Sequence, residues 1–225
     1  VALHSGIGRW PGAAGVSQLV LLNIGGGDAI LQVPALRWSP SDDAPTAAQH
    51  GGFVSGAQRF DHEIFSVSPA EARAMDPQQR LLLESAYEAT HAAGLRRSEL
   101  LGLDVGVFAG LMNTDFASLA RSESVYGATG TQISIASGRL AFTLGTQGPC
   151  ESIDTACSSA LVALDAAALS LRACNTALVA AANLVLRPFV SLLFARAGML
   201  SDDGRCKTFD ARANGYVRGE GVGAA

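Results

Sequence analysis

Residues 158–173 restrict the possible folds of this chain more than any other segment. They read as one helix with a single acid, Asp165, and one base, Arg172, near its end. A helix that is apolar nearly all round offers no face suited to water, so it must be buried on most sides. The surrounding sequence supplies material for a sheet. Asp104-Val105-Gly106-Val107-Phe108-Ala109, Glu151-Ser152-Ile153-Asp154-Thr155 and the run from Thr176 to Ala182 read as short buried strands. Strands that alternate with helices predict an α/β fold with a largely parallel sheet and right-handed crossovers.

Two further helices are marked by their ends. Asp76 is a good N-cap, Pro77 sits at the first helical position, and Gln79 falls where a capping box has its polar partner. Leu82, Leu83, Ala86, Ala89, Thr90 and Ala93 then keep one small, apolar face, and Gly94 suits the stop. The segment from Thr131 to Leu144 predicts another helix, closed by Gly145. Residues 1–60 are rich in Gly, Pro and Ala. There Pro11-Gly12, Gly25-Gly26-Gly27, Ser39-Pro40 and Gly51-Gly52 read as turns and loops. Gly6-Ile7-Gly8 is no dinucleotide fingerprint, because position 11 is Pro where a third Gly is needed.

Composition removes several classes of function. Of 225 residues, 48% are hydrophobic and 16% charged, against a usual charged share of about 25%. A disordered chain needs the opposite balance, and so little charge predicts that much of the surface meets another chain or further sequence. The net charge is −4, with 15 Arg and the single Lys207 scattered rather than clustered. No basic stripe follows a phosphate backbone, so no nucleic-acid partner is expected. The apolar run from Thr176 to Leu186 is interrupted by Asn183 and too short for a bilayer, so no membrane span is expected. The chain does not begin with Met and shows no basic start before an apolar run, so it reads as a fragment in which no leader is visible.

Cys150, Cys157, Cys174 and Cys206 form no CxxC pair, and no metal site is expected from them. Four cysteines are too few for a disulfide scaffold and suit a reducing, cytoplasmic setting. Cys157 is the one to follow. It lies where Asp154-Thr155 leaves a strand and Ser158-Ser159 opens the apolar helix. A helix N-terminus favours a thiolate, and its N–H groups can hold a developing oxyanion. The other reading is a small buried residue, the usual fate of a free cysteine. No Gly-x-Ser-x-Gly elbow occurs, which excludes the usual α/β-hydrolase thioesterase signature.

The stretch from Gly148-Pro149-Cys150 through Asp154-Thr155-Ala156-Cys157-Ser158-Ser159 to Ala163-Leu164 resembles the nucleophile segment of β-ketoacyl synthases. It is most similar to the ketosynthase domains of type I polyketide synthases. Phe60-Asp61-His62-Glu63-Ile64-Phe65, Met75-Asp76-Pro77-Gln78-Gln79-Arg80-Leu81 and Gly106-Val107-Phe108-Ala109-Gly110 carry the likeness through the first half. Ala128-Thr129-Gly130, the run from Gly198-Met199-Leu200-Ser201 to Lys207-Thr208-Phe209-Asp210, and Gly215 to Gly221 extend it almost to the end. The resemblance covers essentially all of residues 1–225.

It implies a thiolase-like fold, of which residues 1–225 would form the N-terminal βα half, with the first strand mostly missing and the C-terminal half lying outside the chain. It also implies that Cys157 accepts an acyl group from a carrier-protein thioester. Decarboxylative Claisen condensation with a malonyl-type extender follows, and no cofactor is bound directly, because the substrates ride on the phosphopantetheine of the carrier. In the family both catalytic histidines follow the nucleophile, whereas His4, His50, His62 and His91 all precede Cys157. The resemblance therefore puts the histidines in the missing half, and His62 in the Phe60–Phe65 segment and His91 late in its helix read as structural or surface residues. It further implies a homodimer, with the strand before the nucleophile and the 128–144 region against the partner subunit. A non-catalytic module that dimerises or binds carrier protein is the alternative, and a non-decarboxylative acyl transferase is a third reading.

Overall fold

The computed structural model describes residues 2–39, 45–112, 115–119 and 124–225. The strands are β1 (Ile7–Arg9), β2 (Ile30–Gln32), β3 (His50–Gly52), β4 (Val105–Gly110), β5 (Cys150–Ile153), β6 (Thr176–Asn183) and β7 (Gly221–Ala224). The helices are α1 (Val16–Ile24), α2 (Pro69–Ala74), α3 (Pro77–Ala92), α4 (Arg97–Leu100), α5 (Asp115–Leu119), α6 (Gly127–Gly130), α7 (Ile135–Leu144), α8 (Ser159–Ser170) and α9 (Pro188–Arg196). Two compact units result. One comprises Val1–Gly8, Gly56–Asn183 and Val222–Ala225, the other Arg9–Ser55 and Leu184–Gly221.

The first unit holds a five-stranded sheet in the order β1-β7-β6-β4-β5. β4 pairs in parallel with β5 and β6, as the alternation of strands and helices predicts. Val179 and Ala225 exchange both backbone hydrogen bonds at 2.9 Å, the mark of an antiparallel pair, so the sheet is mixed. Every residue of β4 is buried, which means that both of its faces are covered. α8 packs on the Phe108 side, where Ala163 and Ala167 meet that ring, and α3 and α7 cover the other side. β1 is a three-residue strand at one edge, and β5 forms the opposite edge.

α8 departs from its expectation. Only Ser159, Ala163 and Ala167 are buried, one stripe at four-residue spacing. Leu161 is 72% exposed and Leu169 53%. The helix is apolar all round, but among the described residues a layer covers only one of its faces.

α3 begins as its cap predicts. The Asp76 carboxylate accepts from Gln78 N at 2.7 Å, and Pro77 takes the first position. The expected capping box does not form, because Gln79 is engaged elsewhere. Its amide nitrogen donates to the carbonyls of Thr129, Gly130 and Gln132 at 3.1–3.3 Å. Its Oε1 accepts from Arg139 Nε at 2.8 Å, and Arg139 also pairs with Glu71. The N–H of Asp76 goes to Gly130 O at 2.8 Å instead. This grip accounts for a second difference. The helix expected from Thr131 starts only at Ile135, because the carbonyls that would open it are bound to Gln79. Gly145, at φ 77°, ends that helix where expected.

The second unit contains the two-stranded antiparallel sheet β2-β3, with Leu31 opposite Gly51. Gly51-Gly52 is thus strand and not turn. A Cβ at Gly51 would come within 3.0 Å of the Phe53 ring, and one at Gly52 within 2.8 Å of Pro11, so the glycines permit close packing here. Pro11-Gly12 and Gly25-Gly26 are turns as expected, whereas Pro40 of the Ser39-Pro40 reading lies outside the described residues. Glu220 ties the unit together. Its buried carboxylate accepts from both Nε (3.2 Å) and Nη2 (2.9 Å) of Arg37, from Val54 N at 2.8 Å and from Val185 N at 2.9 Å. Nearby in sequence, Arg218 donates to Ser191 at 2.9 Å and lies over the Phe194 ring.

Burial pushes the Asp76 carboxyl up to about 6, against the pull of its hydrogen bonds to Gln78 and of Arg80, with Asp115 adding like charge. A carboxyl whose folded value exceeds its unfolded value of 3.8 stabilises the fold most below that unfolded value. The contribution is lost as pH rises through about 6. Asp76→Asn keeps an N-cap acceptor and removes the charge. It should raise unfolding stability at pH 8 by about 2 kcal/mol, with no gain at pH 4. Denaturant midpoints at the two pH values check this, and an equal effect at both would contradict it.

Candidate active site

β5 delivers the chain to a short, strained turn. Its last residue, Ile153, lies beside Gly110 in the parallel register, and Leu111 N donates to Ile153 O at 3.1 Å. Ala156 then takes φ 58°, a left-handed conformation for a residue with a Cβ. Such a residue costs on the order of 1–2 kcal/mol and persists only when its surroundings hold it. Side chains hold this one from several sides. Asp154 Oδ1 accepts from Ala156 N at 3.0 Å. Ser159 Oγ donates to Ala156 O at 2.7 Å and accepts from Thr155 N at 2.9 Å. Ser158 Oγ donates to Thr155 O at 2.8 Å, with Thr155 Oγ1 at the same distance.

Cys157 is the central residue of the 3₁₀ turn Ala156–Ser158, directly before α8, and it is exposed. The sequence places it at a strand-to-helix junction, and the structure agrees. The cysteine is left open to solvent among the described residues. That is the opposite of the small-buried-residue reading. Beneath the turn, α8 comes very close to β4. A Cβ added at Gly110 would sit 2.8 Å from the carbonyl carbon and oxygen of Ser159 and 3.0 Å from Ala160 N, so only glycine fits.

The other cysteines have different surroundings. Cys174 is buried and donates to Ser170 O at 3.3 Å. Cys150 is exposed on the edge strand β5. Cys206 is exposed, and its sulfur accepts from Val217 N at 3.3 Å. Three of the histidines are engaged locally. His62 Nδ1 donates to Val67 O at 2.8 Å, His50 Nδ1 lies 3.2 Å from Thr46 O, and His91 stacks on Tyr87 in the last turn of α3. Among the described residues no cluster of His, Cys, Asp or Glu could hold a metal ion, and no helix is long and apolar enough to cross a membrane. Sequence reasoning places Cys157 at this junction but misses Asp154 and Ser159 as the residues that hold the turn. Two side chains with local hydrogen-bonding capacity flanking Ala156-Cys157 are the available signal.

Cys157 thus stands exposed on a turn with a left-handed residue, between a parallel strand and an apolar helix. The model of the β-ketoacyl synthase N-terminal domain matches residues 1–225, and the chain belongs to that family. It is 48% identical over 222 residues to the spectinabilin polyketide synthase system protein NorA' of Streptomyces orinoci, covering 96% of this chain and 6% of that protein. It is 44% identical over 231 residues to the polyketide synthase GfsB of Streptomyces halstedii, covering 96% of this chain and 4% of that one. Among solved structures, the ketosynthase from module 6 of the bacillaene synthase of Bacillus subtilis 168, in a Cys-to-Ser mutant form, superposes with a TM-score of 0.87 at 35% identity. It is matched over 99% of this chain and 39% of that one. The oxazolomycin ketosynthase domain OzmH KS7 of Streptomyces albus JA3453 gives 0.87 at 31% identity, over 99% and 41%. The chain thus spans about two fifths of the solved ketosynthases and a small part of the curated relatives. The thiolase-like fold expected from the sequence is the fold observed.

Two outcomes test the site. In the folded protein, limiting iodoacetamide should alkylate Cys157 ahead of Cys150 and Cys206, as read by peptide mass spectrometry. Gly110→Ala should push the start of α8 off β4, lower stability by about 1–3 kcal/mol and erase that preference. Preferential labelling of Cys150 or Cys206 in the unmodified protein would remove Cys157 from its role.

Proposed function

We propose that this chain is the nucleophile-bearing part of a polyketide-synthase ketosynthase domain and that Cys157 is its catalytic residue. The observation that carries this reading is the exposed Cys157 on a strained, side-chain-braced turn at the start of α8, in a chain whose whole length matches the family's N-terminal domain. In the first step the Cys157 thiolate attacks the carbonyl carbon of an acyl thioester held on a carrier protein. The carbonyl π electrons move to oxygen, and backbone N–H groups beside Cys157 hold the oxyanion. The C–S bond to the carrier's phosphopantetheine then breaks, its sulfur leaves as a thiolate that takes up a proton, and the acyl group remains on Cys157.

In the second step a malonyl thioester loses carbon dioxide, and the electrons of the broken C–C bond form an enolate. Its carbon attacks the acyl-Cys157 carbonyl, a new C–C bond forms, and Cys157 leaves as a thiolate. The enolate oxygen needs donors, a role the family gives to two histidines. Every histidine here precedes Cys157, so the chain alone is expected to be an incomplete acyltransferase. The partners on this reading are acyl and malonyl carrier proteins, with phosphopantetheine as the carrier's group and none bound directly by the chain. A homodimer is part of the same proposal, supported by the exposed edge strand β5, whose free edge can pair with another strand. Four unpaired cysteines accord with a cytoplasmic setting. A non-catalytic module would give no reason for the strain that presents Cys157.

In the full-length protein, Cys157→Ala should abolish condensation measured with acyl- and malonyl-carrier thioesters. The isolated chain should accept an acyl group slowly at most. Losing each electrostatic donor removes on the order of 10²–10³ in rate, which takes condensation by the isolated chain below detection. A β-keto product with released carbon dioxide from the isolated chain would overturn this division of labour.

A further inference from the structure

Ser159 is 5% exposed, while Asp154, Thr155, Ala156, Cys157 and Ser158 before it are open to solvent. A buried hydroxyl needs partners, and this one has both kinds. Its proton goes to the Ala156 carbonyl at 2.7 Å, and its oxygen accepts from Thr155 N at 2.9 Å. The two contacts lie on either side of the peptide unit that joins Thr155 to Ala156, so one oxygen spans the left-handed residue. Any other rotor setting gives up the bond to Ala156. Ser159 is itself held against β4, where a Cβ at Gly110 would come within 2.8 Å of its carbonyl.

The consequence falls on the following peptide unit. Thr155 N donates to Ser159, Ala156 N to Asp154, Ser158 N to Thr155 O and Ser159 N to Ala156 O. Among the described residues the Cys157 N–H is left without an acceptor. No peptide bond among these residues is cis, and in a trans unit the C=O and N–H point opposite ways. The Ala156 carbonyl is tied to Ser159 through both its hydroxyl and its N–H. The Cys157 N–H is therefore turned away from Ser159, on the residue that also carries the sulfur. We propose that Ser159 is a positioning residue for acylation. Its hydroxyl fixes the Ala156–Cys157 peptide so that the Cys157 N–H meets the oxygen of a thioester carbonyl attacked by the Cys157 sulfur. Without that hydroxyl, the Ala156 carbonyl keeps only a 3₁₀ bond of poorer geometry, and the donor loses its aim. The inference rests on the reading of Cys157 as the nucleophile.

The test compares two reactions of one sulfur in the full-length protein. Iodoacetamide is attacked at a saturated carbon, iodide leaves and no oxyanion forms. The acetyl thioester of N-acetylcysteamine is attacked at its carbonyl. That oxygen carries the charge until the N-acetylcysteamine thiolate leaves and takes up a proton. Ser159→Ala should slow single-turnover acetylation of Cys157 on the order of 10²-fold, the loss that a misplacement of about 1 Å brings. The half-saturating thioester concentration and the rate of alkylation should both stay near those of wild type. Ser159→Thr keeps the hydroxyl and should restore acetylation. Where Ser159→Ala unfolds, the same comparison is made in an Ala156→Gly background, in which glycine adopts the left-handed φ without strain. Equal slowing of alkylation and acetylation would overturn the proposal, since the hydroxyl would then only hold the turn together. Unchanged acetylation in Ser159→Ala would overturn it as well. A wild-type protein that is alkylated but never acetylated at Cys157 would instead remove the nucleophile reading, and this proposal with it.

Discussion

The contact between α8 and β4 is the constraint on which the rest of the first unit depends. Ala163 and Ala167 lie flat against Phe108, and Gly110 lets the start of the helix approach the strand almost to backbone contact. Larger side chains on either surface would lift the helix off the sheet. Because the helix sits so low, the chain leaving β5 has little room in which to reverse direction, and Ala156 takes up the turn in a left-handed conformation. The hydroxyls of Ser158 and Ser159 and the Asp154 carboxylate then satisfy the backbone of that turn. Each such bond contributes about 1 kcal/mol net, so the set is of the right size to offset the strain. The position of the cysteine therefore follows from how closely two other elements pack.

A second layer of support reaches the same strand from the opposite face. Gln79, at the start of α3, holds three carbonyls of the 129–132 segment and receives Arg139 from α7. α7 in turn touches β5 through Ser137, whose N–H and hydroxyl both meet Ser152 Oγ, at 3.1 and 2.9 Å. A buried amide bonded through both its nitrogen and its oxygen fixes one arrangement of its neighbours more firmly than an apolar side chain could. The edge strand that leads to Cys157 thus has a defined backing even where its outer side is bare.

Much of this is legible in the residues. The strand β4 is a near-continuous apolar run, as a strand buried on both faces must be. The Asp76-Pro77 start of α3 and the Gly145 stop of α7 are local signals that tertiary structure leaves alone. The misreadings share one cause, which is that long-range packing overrules a local pattern. Gln79 has the spacing of half a capping box and is instead a clamp on carbonyls some fifty residues away. Gly51-Gly52 has the composition of a turn and is instead a strand, because close neighbours in the fold exclude side chains there. α1 carries no sequence signal, because Gly15 gives it no side-chain cap and its apolar residues show no second, charged face to set a period. α8 is apolar all round as its sequence says, but the covering it calls for lies beyond what one stripe of Ser159, Ala163 and Ala167 provides.

The Glu220 carboxylate has a consequence for how the molecule comes into being. Its principal cation, Arg37, is 183 residues earlier in the chain. A ribosome adding about 5–20 residues per second needs roughly 10–40 s to cover that distance. Through that interval Arg37 and the N–H of Val54 are without the acceptor they share in the finished fold. The second unit therefore cannot close as it emerges, and it must wait while the helices and parallel strands encoded in between are already available to pair. The first unit waits as well, because β7 (Gly221–Ala224) takes its place between β1 and β6, so neither unit is complete until residues 220–224 have been made.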